Sequence, residues 1–353
     1  MPKLRLKIAI WSGPASSWGQ TFLGDKSIDQ RFARLTEVLD KARADWLDTS
    51  LGIENPDTPV LKIFVAPEST LIRSGNARAF DFDELRLEGE HFTKKFETLS
   101  RGLLLVPGTA VWKKPATPER MMKLEQRAEG AFRERTTEFY QHKWPDSPGS
   151  VHQDKAKTDV DAFQKKLVPL HAQPDTAFIG RSVSYIYHDG ERRLKYYKQG
   201  EDKKGGNTTE IRDADKKMHR GAPPSEGKKG LAGIKFIPGH QDGRFTVELG
   251  GGRVVRCGVE VCVDHVQQQL KFSRDGQNLH LHFLVSDTTY LNKDYVAAEA
   301  GGYVVHACTN YALGDRGVSG LYDHAAKLIP ANKEEKMLDS LLLYYARDLE
   351  LPA

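Results

Sequence analysis

The chain has 353 residues, of which 39% are apolar, and its 52 basic and 48 acidic side chains give a formal net charge of +4. This is enough for one large or two ordinary domains with a substantial core. The mild charge is spread along the chain, which argues against a nucleic-acid partner. No stretch approaches the roughly 18 to 20 apolar residues of a membrane helix. The first residues do not resemble a signal peptide, so we expect a cytoplasmic protein with no membrane partner.

Strand-like and helix-like segments alternate in the first third of the chain. Residues 7–11 (KIAIW), 60–68 (VLKIFVAPE) and 103–109 (LLLVPGT) are predicted strands. Ser27 is expected to begin a helix with apolar residues at helical spacing, and a second helix is expected near 91–101. This alternation predicts a layered α/β fold.

Two long segments interrupt the pattern. Residues 113–175 are rich in charged side chains, with a helix start at Thr117 and Pro118, and we interpret them as a helical excursion from the sheet. Residues 199–234 are almost without apolar side chains, which predicts a long solvated loop; a plain surface loop is favoured over a functional lid. Between them, residues 178–198 alternate apolar and polar side chains around His-Asp-Gly, which predicts a hairpin.

Strand patterns return in the last third of the chain, in RFTVEL, RVVRCGVEVCVD, NLHLHFLVS and GGYVVHACTN. The end of the chain, 331–353, contains leucines and a tyrosine at helical spacing. It is therefore predicted to form an amphipathic C-terminal helix.

The three cysteines, Cys257, Cys262 and Cys308, are too few for a disulfide framework and are expected to be reduced. With His265, the first two give C-x4-C-x2-H, which lacks a second pair at zinc spacing. On a strand, Cys257 and Cys262 also point to opposite faces. No metal is therefore predicted, and Cys257 and Cys308 are interpreted as core residues.

A pair of histidines, His280 and His282, shares one face of a predicted strand. Two imidazoles on one face are a possible ligand pair, but the sequence offers no third ligand for them. They are interpreted as packed or surface residues.

Cys262 is different because it ends an apolar strand, VEVC, and is followed by Asp264. A side chain at a strand end reaches the crevice of an α/β sheet, where the next backbone N–H groups can hold an oxyanion. A thiol nucleophile also needs a base and a cationic group. Glu68 ends one predicted strand, a costly place for a carboxylate unless it is used or paired, and Lys198 ends the hairpin.

Three segments resemble, in order and strand context, the Glu-Lys-Cys triad of the nitrilase, or carbon-nitrogen hydrolase, superfamily. They are FVAPEST with Glu68, YYKQG with Lys198 and GVEVCVDH with Cys262. LLLVPGT, FIPGHQDGRFTVELGGGRVVRCGVEVCVD and the closing strands are similar as well, so the resemblance covers about residues 5–325 except the two insertions. It implies a four-layer α-β-β-α sandwich, a single hydrolase domain over residues 1–330, and a homodimer or larger homo-oligomer.

The resemblance implies a thiol amidohydrolase that cleaves a non-peptide C–N bond of a small amide through a thioester on Cys262. Glu68 would be the general base, and Lys198 and the backbone N–H of Val263 would hold the oxyanion. No cofactor is implied. The family commonly has a second glutamate between its lysine and its cysteine, for which Glu226 is the first choice and Glu210 the rival.

The sequence departs from the family at Val263, where an aromatic or small residue is usual. The Cys-Trp-Glu sequence typical of nitrile hydrolysers is absent, which favours amide over nitrile substrates. Nitrile hydrolysis, acyl or amide transfer on the same triad, and an inactive scaffold protein of the same fold stay open as alternatives.

Overall fold

The structure is a computed structural model that describes residues 3–351 with gaps. The longer gaps are 14–26, 72–79, 82–88, 165–177, 200–233, 272–278 and 310–317, and many residues between 116 and 143 also lie outside the described part. Shorter gaps fall at 54, 56, 69, 237–238, 240, 267, 288 and 338–339.

The described residues form strands and helices in a mixed order. The strands are β1 (Lys3–Ser12), β2 (Val60–Val65), β3 (Phe80–Asp81), β4 (Leu104–Val106), β5 (Ala110–Pro115), β6 (Phe178–His188), β7 (Glu191–Tyr197), β8 (Ile234–Phe236), β9 (Arg244–Leu249), β10 (Arg253–Val261), β11 (Leu279–Ser286), β12 (Ala298–Cys308), β13 (Gly320–Asp323), β14 (Leu328–Ile329), β15 (Lys333–Met337) and β16 (Ser340–Glu350). The α-helices are α1 (Ile28–Ala42), α2 (Gly89–Leu99), α3 (Gly149–Gln164) and α4 (Val263–Val266), with a π-helical turn at Arg43–Leu47 and a 3-10 turn at Lys293–Tyr295.

The strands belong to two sheets. Sheet A has the order β15-β16-β1-β2-β4-β6-β5-β3, with β7 and β8 also paired to β6. Sheet B has the order β14-β13-β12-β11-β10-β9. In sheet B, β10, β11 and β12 are parallel neighbours, so their carboxyl ends share one edge.

Successive residues of β1 point to opposite sides of sheet A, as the two-residue period of a strand requires. Ile8 and Ile10 belong to a core that also contains Phe283 of sheet B, so the two sheets pack face to face. Ala9 and Trp11 belong to a second core on the other side of sheet A.

Helices α1 and α2 cover this outer side of sheet A, with Phe32, Leu35 and Phe96 in the second core. The predicted mixed α/β fold is therefore confirmed, as two facing sheets with helices outside sheet A. On the outer side of sheet B, a helical layer stays a prediction.

Two local predictions from the sequence are confirmed. Ser27 caps α1, accepting a hydrogen bond from the N–H of Gln30, whose side chain accepts one in return from the N–H of Ser27. The hairpin β6–β7 turns at Asp189 and Gly190, both with positive φ (50° and 80°), as a tight two-residue turn requires.

The predicted C-terminal helix over 331–353 is wrong. The segment forms β15 and β16, and β16 lies between β15 and β1 in sheet A. Leu341, Leu343 and Tyr345 face the core between the sheets, while Leu342 and Tyr344 face the core under the helices. A strand covered on both faces has a nearly continuous apolar run, which includes pairs at helical spacing by chance.

The two predicted insertions are described only in part. Within 113–175, the described residues include the end of β5 and helix α3, which agrees with a helical excursion. Within 199–234, residues 200–233 lie outside the described part, as do Glu226 and Glu210. Among the described residues, none of the helices has both the length and the apolar character needed to cross a bilayer.

Candidate active site

Glu68 and Lys198 form a buried ion pair. Each follows the end of a strand of sheet A, Glu68 after β2 and Lys198 directly after β7. The Nζ of Lys198 lies 2.5 Å from Oε1 of Glu68, and both side chains are almost completely shielded from solvent. The other oxygen, Oε2 of Glu68, is buried and has no hydrogen-bond partner among the described residues. The structure therefore brings these two strand ends together.

Cys262 lies in a tight turn between β10 and α4. Its φ is 53°, in the left-handed region that non-glycine residues seldom adopt. Its N–H donates to Val285 O at 2.9 Å, and its own carbonyl accepts from the N–H of His265 at 3.1 Å. A strained strand-to-helix turn of this kind is one way in which proteins present a nucleophile, and strain of this kind concentrates at functional sites.

The sulfur of Cys262 contacts the hydroxyl of Thr289. The distance from Sγ to Oγ1 is 2.9 Å, and both residues are buried. Thr289 follows the end of β11, the strand that pairs in parallel with β10, so the two side chains come from neighbouring strand ends of sheet B. Thr289 is not among the candidate residues predicted from the sequence, although it stands three residues beyond a predicted strand.

Asp264 connects the segment of the cysteine to the segment of the lysine. Its carboxylate accepts hydrogen bonds from Tyr196 Oη at 2.8 Å, from the N–H of Gln199 at 3.0 Å and from the N–H of Val261 at 3.4 Å. Burial raises its pKa to about 6, although the nearby Lys198 ammonium opposes this. Asp264 therefore connects the turn that contains Cys262 to Gln199, the residue directly after Lys198.

The backbone connects the carboxyl ends of strands from both sheets. The carbonyl of Ser286, the last residue of β11, accepts the N–H of Glu68 at 3.3 Å and the N–H of Thr309 at 3.2 Å. Glu68 follows a strand of sheet A, while Ser286 ends β11 and Thr309 directly follows β12 in sheet B. The site therefore lies where the carboxyl ends of β2, β10 and β11 come together, the usual location of sites in α/β sheets.

Beside this site lies a buried group of potential metal ligands, Glu260, His265 and His282. Their nearest ligand atoms all lie within 4.8 Å of one another. Oε2 of Glu260 is 2.8 Å from Nδ1 of His265 and 3.0 Å from Nε2 of His282, and Oε1 accepts the N–H of Leu270 at 2.6 Å.

The second nitrogen of each histidine decides between a metal site and a hydrogen-bonded network. Nε2 of His265 accepts the N–H of Asn292 at 3.1 Å, and Nδ1 of His282 accepts the N–H of Ala297 at 3.3 Å. A neutral imidazole that accepts at one nitrogen carries its proton on the other. Metal-bound histidines show the opposite pattern, with the outer nitrogen donating. The donor chemistry thus favours two histidines donating to one carboxylate, and it identifies the partner of His282 that the sequence did not reveal.

The remaining cysteines and His280 lie in structural environments. Cys257 is buried in the core between the sheets, and this burial raises the pKa of its thiol. Cys308 is buried and donates to Asp287 O at 2.9 Å. His280 accepts the N–H of Arg256 at 3.1 Å and lies 3.0 Å from Glu299. These positions agree with the interpretation of all three as packed residues.

Comparison with known proteins gives matches only among solved structures. No family model and no curated protein matches this sequence. Nit3 of Saccharomyces cerevisiae, a nitrilase-superfamily member, is 13% identical over 96% of this chain and 89% of its own, with a TM-score of 0.45. A cysteine-to-serine mutant of the Nesterenkonia AN1 amidase, also of that superfamily, is 10% identical over 96% and 90%, with a TM-score of 0.44. The C. elegans NitFhit protein is 13% identical over 96% and 60%, with a TM-score of 0.46. At such values these likenesses decide neither family nor activity.

Proposed function

We propose that the protein is a carbon-nitrogen hydrolase of the nitrilase type, with Cys262 as nucleophile and a small amide as substrate. The observation that carries this proposal is the buried pair of Glu68 and Lys198, 2.5 Å apart, at the same meeting point of strand ends as a cysteine in a left-handed turn. A buried ion pair seldom stabilises a fold more than apolar side chains of similar size would. A catalytic role explains better why such a pair lies at two strand ends.

The two oxygens of Glu68 have different tasks in this proposal. Oε1 accepts from Lys198, which fixes the carboxylate. Oε2, which is buried and without a partner among the described residues, receives the proton of the Cys262 thiol. The Lys198 ammonium stabilises both the carboxylate and the thiolate that forms beside it.

The first half of the reaction forms a thioester. The sulfur of Cys262 attacks the amide carbonyl carbon as its proton passes to Glu68, and the π electrons of the carbonyl move to oxygen. Lys198 and the backbone N–H of Val263 stabilise that oxyanion. The C–N bond then breaks, and the leaving nitrogen takes the proton from Glu68.

The second half releases the acid. Water attacks the thioester carbonyl carbon and gives a proton to Glu68. The new adduct collapses with cleavage of the C–S bond, the electron pair returns to sulfur, and the thiolate takes the proton back from Glu68. Each proton accepted by Glu68 is returned, and this sequence of steps calls for no cofactor.

The proposal is tested by a screen of short amides, with the matching nitriles and an added amine acceptor in parallel. Wild-type protein is expected to release ammonia or amine from at least one amide. Glu68→Gln and Lys198→Met are each expected to lower turnover by about 100-fold or more, since each removes a group that acts in the transition state. Because breaking a buried pair destabilises the fold, each variant is first checked for cooperative unfolding.

Cys262→Ala is expected to abolish turnover, with Cys257→Ala as the matched control that keeps it. Preferred turnover of nitriles, or preferred transfer to the amine, would assign a different reaction to the same residues. A protein without turnover whose Cys262 reacts with alkylating agents no faster than Cys257 and Cys308 would contradict the proposal and favour a scaffold protein.

A further inference from the structure

We propose that Thr289 is a further catalytic residue, whose hydroxyl donates a hydrogen bond to the sulfur of Cys262 when that sulfur carries negative charge. This inference rests on the proposed function, because it concerns the same nucleophile. It adds a second group from sheet B, beside Cys262, to a site whose Glu68 and Lys198 follow strands of sheet A.

The contact itself is close and sheltered. Sγ of Cys262 and Oγ1 of Thr289 are 2.9 Å apart, and Thr289 is 8% exposed. A hydroxyl has a single hydrogen to donate, and it rotates to suit its partner. Within the described part of the chain, this hydroxyl has the sulfur as its one hydrogen-bond partner. The geometry therefore directs the hydroxyl to the reacting atom.

The end of β11, three residues before Thr289, is held from several sides. The Ser286 carbonyl accepts from both Glu68 and Thr309, and the Ser286 hydroxyl lies 2.7 Å from Nε2 of His306. The Ser286 hydroxyl also lies 3.5 Å from the Thr289 carbonyl, which connects this anchored strand end to Thr289 and reduces the reorganisation needed when the sulfur becomes charged.

The direction of the hydrogen bond follows the charge on sulfur. With the thiol protonated, either atom can donate. Once Glu68 has taken the proton, sulfur has only lone pairs, so Thr289 must be the donor. In the thioester the sulfur is neutral and a weak acceptor. The hydrogen bond is therefore strongest in the free thiolate and at the moment when the C–S bond breaks and its electron pair returns to sulfur.

Two kinetic consequences follow. A stabilised thiolate is more abundant at neutral pH but individually less nucleophilic, so these effects partly cancel in the attack on the amide. A stabilised thiolate is a better leaving group, so release of the acid gains directly. Thr289 is therefore expected to act mainly on breakdown of the thioester.

The test compares Thr289→Val, which keeps the shape and removes the hydroxyl, with Thr289→Ser, which keeps the hydroxyl. The alkylation rate of each cysteine is measured by peptide mass spectrometry across a pH series in the folded proteins. In Thr289→Val the apparent pKa of Cys262 is expected to rise by about one unit, since a hydrogen bond to a charged group has about this effect or more. Below that pKa the thiolate is then about tenfold less abundant but about threefold more nucleophilic, so labelling at neutral pH is expected to be about threefold slower. Thr289→Ser is expected to restore the wild-type profile.

One control and one further measurement distinguish loss of this hydrogen bond from a general loosening of the fold. Labelling of Cys257 and Cys308 reports loosening of the fold, because both are buried and react only when it opens. With an amide from the screen, the thioester is expected to accumulate in Thr289→Val to a larger fraction of the protein than in wild type, and mass spectrometry of the quenched protein measures that fraction.

An unchanged or lowered apparent pKa of Cys262 in Thr289→Val overturns this inference, because the hydroxyl would then not be a donor to the thiolate. If the proposed function itself is wrong, the result is different: Cys262 of the wild-type protein is alkylated slowly, and its alkylation rate does not depend on Lys198. If Cys262 is alkylated fast, and if that rate depends on Lys198 but not on Thr289, only the role of Thr289 is refuted.

Discussion

Replacing Glu260 by glutamine tests whether the buried group of Glu260, His265 and His282 is a hydrogen-bonded network. The carboxylate accepts three hydrogen bonds, one at Oε1 and two at Oε2. Glutamine keeps the shape but has one acceptor oxygen. If that oxygen faces the histidines, its amide N–H groups face the N–H of Leu270, and one buried donor loses its acceptor.

The expected loss in the free energy of unfolding follows from two routes. Losing one hydrogen bond to a charged group and leaving one buried donor unsatisfied costs about 3 kcal/mol. Burial acts to raise the pKa of Glu260, but the hydrogen bonds from His265 and His282 outweigh it and lower the pKa from 4.5 to about 2. That difference also corresponds to about 3 kcal/mol of stabilisation of the charged carboxylate.

The assay is urea unfolding at neutral pH, with and without added zinc or a chelator. Glu299→Gln is the control, since Glu299 is a partly exposed carboxylate that pairs with Arg256, and its loss is expected to stay below about 1 kcal/mol. Chelator is expected to change neither protein. Zinc that stabilises the wild type but not Glu260→Gln, or equal losses in Glu260→Gln and Glu299→Gln, would refute the reasoning.

Three further predictions concern two buried ionisable side chains and the last strand of sheet A. Burial raises the pKa of Asp264 from 3.8 to about 6, so the folded protein binds this proton more tightly than the unfolded chain does. As pH falls from above 6 to below 4, the free energy of unfolding of the wild type should therefore rise by about 3 kcal/mol relative to that of Asp264→Asn. Urea midpoints of the two proteins that change in parallel with pH would contradict this. Burial lowers the pKa of Lys7 from 10.5 to about 8, so stability relative to Lys7→Met should increase as pH rises from 8 to 10.5, by about 2 kcal/mol at pH near 9.5, in the same assay. A chain ending before β16 should fail to unfold cooperatively, because β16 separates β1 from β15 and has residues in both cores; a cooperative thermal transition in the truncated chain would argue against this topology.

The local parts of this protein follow from short stretches of its sequence. Ser27 with Gln30 specifies the start of α1, and Asp189-Gly190 specifies the hairpin turn, because caps and tight turns depend on a few neighbouring residues. Glu68, Lys198 and Cys262 were singled out as candidate site residues because each stands at the end of an apolar strand and because their order resembles that of a known family; for Glu68, such a place is costly unless the carboxylate is paired or used. Candidate residues of this kind can be recognised from the sequence without knowing which residues lie beside them in the fold.

The tertiary structure alone decided which residues meet. The sequence 331–353 satisfies a helical spacing, yet its second part forms β16 because both faces of that strand are covered by apolar side chains from other parts of the chain, some of them about 300 residues earlier. Thr289 reaches Cys262 only because β10 and β11 are parallel neighbours. His282 finds Glu260 and His265 by the same packing of strand and helix, and the backbone N–H groups behind the two histidines fix their protons. Such contacts depend on strand order and register, which arise from burial over the whole chain and leave no signal in any one segment.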